Sequence, residues 1–445
     1  MMQQVDLLDP IARQDRSKDP PPINPKKSRV AALDRGRSER YRYSMPESPP
    51  EMIYRRYGKT ELQMPVLSCG GMRYQHGWQD HPLDEIPADS QENLEACIHR
   101  AIELGINHIE TARGYGCSEA QLGLVLPTLP RDEIIVQTKI GPGANADKFL
   151  ADFETSMSRL KLDYVDLLSV HGVNNDEYAD LTLKKNGALT AMQKLRDQGV
   201  ARHLGFSTHG PLPLILKVIE SDAFEYVNLH WYYFDQFNGV AIDAARARDM
   251  GVFIISPSDK GGMLYQPPRK LSDLTAPLTP MAFNDLFCLA RPDVHTLSIG
   301  AARPTDFDAH LEALRYLDDP PSTLEPILKC LADELVRVHG EPWASNWMRG
   351  LPPASAVPGD VPLYHVLRLY NIAKAYDMTA YGKFRYNLLG NGDHWFAGNK
   401  LDALEWDQLD DCLAGSPVAD LIPGKLHEAH AILDGEPLKR LSQSE

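Results

Sequence analysis

The chain has 445 residues, of which 43% are hydrophobic and 24% charged, so it can bury a large core and has an ordinary globular composition. Its formal net charge of −15 disfavours a polyanionic partner, so we expect no nucleic acid. No apolar run reaches about 18 residues, so we expect no membrane span. The six cysteines are scattered and include no Cys-x-x-Cys pair, which favours a reducing, cytoplasmic setting and gives no metal signature.

Residues 1–50 are predicted to form a disordered N-terminal extension. They contain proline runs at 20–22 and 49–50, interspersed opposite charges and few large apolar side chains. Met45 or Met52 could equally be the true start, in which case the extension would not belong to the native protein.

Residues 51–317 alternate between strand-like and helix-like segments. The strand-like runs are 66–72, 106–112, 134–139, 165–171, 201–207, 226–231, 252–257 and 296–302. The main helical runs are 92–104, 149–160, 188–198, 212–220, 240–250 and 307–317. Eight strands with helices between them predict an α/β fold, a (β/α)8 TIM barrel. The alternative is an open doubly wound sheet, which would need a Gly-rich phosphate loop after its first strand, and Gly70-Gly71 is not one.

Residues 318–445 are predicted to form a smaller, mostly helical C-terminal domain, because the alternation of strands and helices stops there. Apolar helical segments at 324–338, 363–375 and 426–433 are separated by links rich in proline and glycine.

Four side chains with complementary chemistry lie at consecutive strand ends of the predicted barrel. Glu110 and Tyr115 flank the end of the second strand, Lys139 closes the third and His171 closes the fourth. Catalytic groups in such barrels come from these ends, and neighbouring strands are only about 5 Å apart. A single Tyr, Lys or His at a strand end is usually a solvated surface group, but four in succession favour a shared site.

The residue types indicate which reaction such a site could perform. A phenol has a pKa near 10, and a nearby ammonium lowers it, so Lys139 would make Tyr115 a better acid. Glu110 could hold the buried ammonium, and a neutral His171 could orient a carbonyl oxygen. Such a set protonates a carbonyl oxygen, and the hydride for its carbon must come from a reduced nicotinamide because no side chain supplies one.

On these motifs, residues 52–317 resemble an aldo-keto reductase. The family motif Asp-Thr-Ala-x-x-Tyr-Gly is matched by Glu-Thr-Ala-Arg-Gly-Tyr-Gly at 110–116, and the family Thr-Lys by residues 138–139. The resemblance implies Tyr115 as the proton donor, Lys139 as the group that tunes it, His171 as the carbonyl-orienting residue and Glu110 in place of the family aspartate. We expect the longer Glu110 side chain to be accommodated, since the rest of the motif is intact.

The resemblance also implies a nicotinamide cofactor, with NADPH preferred over NADH. Segment 205–209 is similar to the stretch that holds the carboxamide, segment 256–262 to the loop around the pyrophosphate, and segment 300–304 to the start of the last helix. There, Arg303 and backbone N–H groups would take a 2′-phosphate. The implied cofactor residues are Gly71, Met72, Ser207, Thr208, Asn228, Ser256, Pro257, Ser258, Lys260, Gly261, Gly300, Ala301, Arg303 and His310.

Residues 318–445 resemble the ferredoxin-like extension found in one branch of these reductases, through segments 367–371 and 422–430. Cysteine quartets hold iron–sulfur clusters in that branch, and a cluster needs about four thiolates. This tail has only Cys330 and Cys412, so we expect a degenerate domain with no iron–sulfur cluster and no metal. It would pack on the barrel, capping the pocket or serving an interface.

Together these features predict an NADPH-dependent enzyme that reduces aldehyde or ketone carbonyls to alcohols, with Tyr115 as general acid. Its partner would be a small-molecule carbonyl substrate, bound between loops 73–89, 172–187 and 263–285, with His76, Trp78 and Trp231 as candidate wall residues. The alternative is an NADP(H)-binding regulatory or scaffold protein with little turnover, and a weaker one keeps electron transfer through the tail. The oligomeric state is not readable from the sequence, although a monomer is favoured.

Overall fold

A short antiparallel hairpin precedes the barrel in this computed structural model, which describes residues 49–258 and 263–435. Its strands are β1 (Tyr54–Arg56) and β2 (Gln63–Pro65). The predicted disordered extension lies outside the described residues, apart from its last two positions. Among the residues described, no helix is both long and apolar enough to cross a membrane.

Eight parallel strands then close into a barrel, which confirms the predicted fold. In chain order they are β3 (Leu67–Gly70), β4 (His108–Glu110), β5 (Ile135–Ile140), β6 (Val165–Val170), β7 (Ala201–Ser207), β8 (Tyr226–Leu229), β9 (Gly251–Ile254) and β10 (Thr296–Ile299). Each strand pairs with the next, and β10 pairs with β3 to close the ring. Every position of β5 and β6 is buried, as expected of parallel strands covered on both faces, although Gln137, Thr138 and Lys139 of β5 are polar.

Helices surround the barrel in the order expected of a (β/α)8 fold. They are α1 (Ala88–Glu103), α2 (Ser118–Val125), α3 (Ala146–Leu160), α4 (Asp176–Leu183), α5 (Ala188–Asp197), α6 (Leu212–Glu220), α7 (Gly239–Arg246), α8 (Arg269–Thr275), α9 (Pro280–Leu289) and α10 (Asp308–Leu314). In α3, the side chain of Asn145 caps the first turn by accepting from the Lys148 N–H, and Phe149, Phe153 and Leu160 are buried on one face.

The N-terminal end of the barrel is filled by aromatic side chains. Tyr57, Tyr226 and Phe253 belong to one fully buried cluster there, which the hairpin covers from outside. Gly205 and Gly251 allow the close packing, since an added Cβ would lie within 2.6 Å of the Tyr226 and Tyr57 rings respectively. The opposite end of the barrel is thereby left to carry the polar groups.

The C-terminal region is helical and packs directly on the barrel. Its helices are α11 (Pro320–His339), α12 (Glu341–Ala344), α13 (Leu363–Tyr376), α14 (Thr379–Tyr386), α15 (Leu409–Cys412) and α16 (Ile422–Leu433). The buried Arg368 of α13 donates to the Phe234 carbonyl at 2.9 Å and lies 3.4 Å from the Asp235 carboxylate, both in the segment after β8. The domain boundary between residues 317 and 318 stays a prediction.

Candidate active site

The four residues predicted to act together lie at the C-terminal ends of β4, β5 and β6. Glu110 is the last residue of β4, Lys139 lies near the end of β5, and His171 directly follows β6. Tyr115 lies in the turn between β4 and α2. The parallel register places Glu110 beside Gln137, two residues before Lys139, so the two side chains converge from adjacent strands.

Lys139 and Glu110 form a direct, buried ion pair. Their side chains are 1% and 3% exposed, and the Lys139 Nζ also donates to the Thr111 carbonyl at 2.8 Å. Burial alone lowers the pKa of Lys139 well below its usual range. The Glu110 carboxylate opposes that fall, because an opposite charge in contact favours the charged form. The pair therefore holds an ammonium where desolvation would otherwise discharge it.

That ammonium lies against the phenol of Tyr115. The Lys139 Nζ is 3.2 Å from the Tyr115 hydroxyl and 4.5 Å from the ring centroid. Burial of the hydroxyl raises the pKa of Tyr115, so the residue is a protonated phenol at neutral pH. The adjacent ammonium stabilises the phenolate that forms when this proton leaves. Tyr115 is thus both loaded with a proton and able to release it.

His171 and Trp78 are aromatic neighbours of Tyr115. The His171 ring stands edge-on to the Tyr115 ring with centroids 5.5 Å apart, and the Trp78 ring does the same at 6.4 Å. The backbone N–H of His171 donates to the Ile140 carbonyl at 2.7 Å, which fixes the residue at the strand end. The structure therefore brings all four predicted side chains together, with Trp78 as a neighbour.

Gly70 on the neighbouring strand lies beside the Glu110 carboxylate. Gly70 is the Cα partner of Glu110 across β3 and β4, and an added Cβ would lie 3.4 Å from the Glu110 Oε2. The same Cβ would lie 2.6 Å from the Ser298 Oγ, so no larger residue fits there without a shift. The Glu110 carboxylate therefore lies between Gly70 of β3 and Lys139 of β5.

The predicted carboxamide site contains a buried amide that lacks a partner. Asn228 is fully buried, and neither its Nδ2 nor its Oδ1 has a hydrogen-bond partner among the described residues. Ser207 accepts from the Gly172 N–H at 3.0 Å, and Thr208 donates to the Val173 carbonyl at 2.7 Å. An amide left unsatisfied in the interior destabilises the protein unless a bound group satisfies it. A ligand with its own amide fits this position.

The two predicted loop segments of the cofactor site lie at the ends of β3 and β9. Gly71 packs so closely on β4 that an added Cβ would lie 2.5 Å from the Glu110 carbonyl, and Met72 follows it. Ser256 adopts a left-handed backbone with φ of 57°, and the Asn284 side chain donates to the Pro257 carbonyl at 2.6 Å.

In the rest of the loop after β9, the structure describes Ser258 but not residues 259–262. The Ser258 carbonyl accepts from the Leu264 N–H at 3.1 Å. Lys260 and Gly261 lie outside the described residues, so their predicted cofactor contacts stay predictions.

Two guanidinium groups converge on one carboxylate after β10. Asp306 accepts from the Ala302 N–H at 2.8 Å and from the Arg303 Nε at 3.1 Å, and it lies 3.6 Å from an Arg73 nitrogen. Arg73 also donates to the Gly300 carbonyl, and Ala301 is buried beside it. Two cations against one anion leave a local positive charge, which suits a phosphate. Arg73 was not predicted from the sequence.

His310, one of the implied cofactor residues, lies inside the protein. It is fully buried, with Nδ1 2.5 Å from the Asp285 Oδ2 and Nε2 2.8 Å from the Tyr265 hydroxyl. Both ring nitrogens are therefore engaged inside the protein, and the ring has no polar atom to offer a cofactor. The physical reason is Asp285, a buried carboxylate on α9 that needs a donor.

The candidate wall residues separate into two groups. Trp78 is 40% exposed beside Tyr115, and His76 lies in the same loop with its ring 5.5 Å from that of His81. Trp231 is instead buried and stacked on Phe287 at 5.1 Å, so it belongs to the packing under α9.

Sequence reasoning missed Trp395 as a site neighbour. Trp395 comes from the C-terminal region, and its ring centroid lies 5.0 Å from that of His171. No local pattern signals a contact between residues this far apart in the chain.

Comparison with known proteins shows what this chain is similar to. Residues 66–262 match the model described as the Aldo/keto reductase family. The matched range contains Glu110, Tyr115, Lys139 and His171.

Two curated relatives illustrate how much of this chain is similar to known proteins. An L-galactose dehydrogenase of Arabidopsis thaliana is 31% identical over 172 residues, which are 36% of this chain and 53% of the relative. An L-glyceraldehyde 3-phosphate reductase of Escherichia coli K12 is 29% identical over 182 residues, 37% of this chain and 48% of the relative. The chain thus spans about half the length of the curated relatives it matches.

A solved structure agrees with the fold of the barrel. The holo form of an aldo-keto reductase from Bacillus halodurans superposes with a TM-score of 0.53 at 21% identity, covering 63% of this chain and 96% of that one. At this level of identity the similarity concerns the fold alone.

Proposed function

We propose that this protein is a nicotinamide-dependent oxidoreductase that reduces an aldehyde or ketone to an alcohol. The observation that carries the proposal is the contact of the Lys139 Nζ with both the Glu110 carboxylate and the Tyr115 hydroxyl, 3.2 Å away. A phenol, an ammonium and a buried carboxylate in series form a proton donor for a carbonyl oxygen.

Four side chains of this protein have defined roles in the reaction. The bound cofactor supplies a hydride to the carbonyl carbon. Tyr115 donates its hydroxyl proton to the carbonyl oxygen, while Lys139 stabilises the phenolate left behind and solvent later restores the proton. Glu110 keeps Lys139 charged, and His171, edge-on to Tyr115 at 5.5 Å, orients the same oxygen. In reverse, the protein oxidises an alcohol.

The residues present fit a nicotinamide cofactor. The buried Asn228 amide has no partner among the described residues, and a carboxamide beside it would satisfy both its donor and its acceptor. Ser207 and Thr208 would border the same group, with Gly71 and Met72 opposite. The loop containing Ser256, Pro257 and Ser258 would carry the pyrophosphate with Lys260 and Gly261, and Gly300 and Ala301 would lie beside the adenosine end.

We propose NADPH as the preferred cofactor. Arg303 is 65% exposed at its side chain and shares the Asp306 carboxylate with Arg73. The net positive charge of this group favours a 2′-phosphate over a ribose hydroxyl.

Purified protein mixed with NADPH and a panel of aldehydes tests the proposal. The panel includes L-glyceraldehyde 3-phosphate, because one relative is named for reducing it. Substrate-dependent loss of NADPH absorbance is the expected result. The regulatory or scaffold alternative predicts tight NADPH binding without consumption on any substrate, and that outcome would replace the enzyme proposal.

The C-terminal region is proposed to be a degenerate ferredoxin-like domain of residues 318–445 without an iron–sulfur cluster. Only Cys330 and Cys412 lie in this part of the sequence, and a cluster needs about four thiolates. Iron analysis of the purified protein tests this, since stoichiometric iron would contradict it. The proposal keeps a cytoplasmic monomer as the working state.

A further inference from the structure

The C-terminal region sends one loop to the mouth of the barrel. This loop, residues 391–398 and called here the tail loop, follows α14 and carries His394, Trp395 and Phe396. The loop is remote in sequence from every barrel strand. Its contacts nevertheless converge on the end of β6, where His171 lies.

Trp395 makes the principal contact. Its ring centroid lies 5.0 Å from that of His171 and 5.2 Å from that of His209, the latter edge-on at 84°. The indole therefore lies against His171, the histidine predicted to orient the carbonyl.

The strand end is shaped to receive this indole. Gly172, directly after His171, has φ of 73°, and an added Cβ would lie 2.6 Å from the Trp395 ring. Any other residue would strain the backbone and displace the indole. Gly172 and Trp395 are thus complementary in shape.

Neighbouring contacts hold the tail loop in place. The His394 Nδ1 lies 3.0 Å from the Asn174 Nδ2, and its ring lies 4.5 Å from that of Tyr178. Arg385 of α14 lies over the Phe396 ring at 4.6 Å. Contacts of both chain neighbours of Trp395, His394 and Phe396, therefore hold the indole in position.

We propose that Trp395 lines the substrate pocket together with Trp78, and that Trp395 selects carbonyl compounds that carry a flat aromatic substituent. The inference rests on the proposed function, because Tyr115 and His171 must hold the carbonyl oxygen for its substituents to reach the indoles. The Trp78 ring lies 6.4 Å from that of Tyr115 and the Trp395 ring 5.0 Å from that of His171, so each of the two residues that would hold the carbonyl oxygen has an indole beside it. An indole in this position attracts an aromatic ring of the substrate by stacking or edge contact.

The test compares benzaldehyde with propanal in the full-length protein and its Trp395→Ala variant. We expect kcat/KM for benzaldehyde to fall about tenfold, mostly through KM, while the value for propanal changes less than about twofold. Trp395→Phe should restore most of the benzaldehyde activity. Equal losses on both substrates, or no loss on either, would overturn the inference.

A matched control and a binding measurement keep the inference separate from the proposed function. Trp406→Ala removes a tail indole that stacks on His427 at 3.9 Å, and it should leave both substrates unaffected. If wild-type protein consumes neither aldehyde, the reductase proposal fails. Calorimetric titration with benzamide in the presence of NADP+ then still tests whether Trp395 lines the pocket. Binding weakened about tenfold in Trp395→Ala supports it. Unchanged binding, or no binding to wild type, refutes it.

Discussion

Replacing Glu110 with aspartate, the residue usual at this position in the aldo-keto reductases that the chain resembles, should lower the turnover of this protein. Glu110 and Lys139 are in direct contact, and both side chains are buried. Shortening the side chain withdraws the carboxylate by roughly 1.5 Å while the strands stay in register. The ammonium then loses part of the attraction that opposes its desolvation.

The magnitude follows from Coulomb's law. A charge-assisted hydrogen bond is about 2.8 Å long. Lengthening it to about 4.3 Å at an effective dielectric of about 20 reduces the attraction from about 6 to about 4 kcal/mol. A loss of about 2 kcal/mol shifts the equilibrium between charged and neutral Lys139 roughly thirtyfold towards the neutral form, and it lowers kcat by up to that factor at a pH where the neutral form dominates. We therefore expect Glu110→Asp to lower kcat by up to that factor.

The assay is the pH dependence of NADPH oxidation with one aldehyde. Lys139 must be charged to act, so a lower pKa makes the alkaline loss of activity begin at lower pH in Glu110→Asp. Glu110→Gln is the matched control, since it keeps the length, removes the charge and should cause the larger loss. A Glu110→Gln variant with the wild-type kcat and pH profile would refute the reasoning.

Three further changes test other parts of the site. Asn228→Leu should weaken NADPH binding about tenfold in a fluorescence titration, and because it removes an unsatisfied buried amide it should leave the Tm of the apoprotein equal or higher. A lower Tm with unchanged binding would contradict this. Arg303→Ala should raise the Kd for NADPH about tenfold and leave that for NADH unchanged; equal effects on both would argue against a 2′-phosphate contact. Burial lowers the pKa of His108 to about 3, so the contribution of the neutral ring to the free energy of unfolding is complete above pH 6.5 and falls by about 1.4 kcal/mol per pH unit as the pH drops towards 3. His108→Gln should therefore flatten the loss of Tm on acidification, and an unaltered slope would count against this.

The barrel and the four central side chains could be predicted from the sequence because both have local signals. Buried parallel strands produce short apolar runs, and the chemistry lies directly after those runs. The helix at Leu212–Glu220 was predicted with the bounds observed. Strand β4 was predicted longer than observed, since the buried run at 106–112 extends past the residues that pair.

The remaining features depend on contacts that no local pattern encodes. His310 was assigned to the cofactor because of its position in the last helix, whereas Asp285 on another helix takes its Nδ1. Trp395 reaches His171 only because the C-terminal helices pack on the barrel. The contact of Arg303 with Asp306 was not predicted either, although a spacing of three residues can bring two side chains together on a helical turn.

The Tyr115→Phe variant tests the central claim most directly. The substitution removes one hydroxyl, 3.2 Å from the Lys139 Nζ, and leaves the ring contacts with His171 and Trp78 in place. Losing a general acid lowers turnover by about 100-fold to 10,000-fold. We predict NADPH binding within about twofold of wild type together with that loss of aldehyde reduction. Undiminished turnover in Tyr115→Phe would contradict the account.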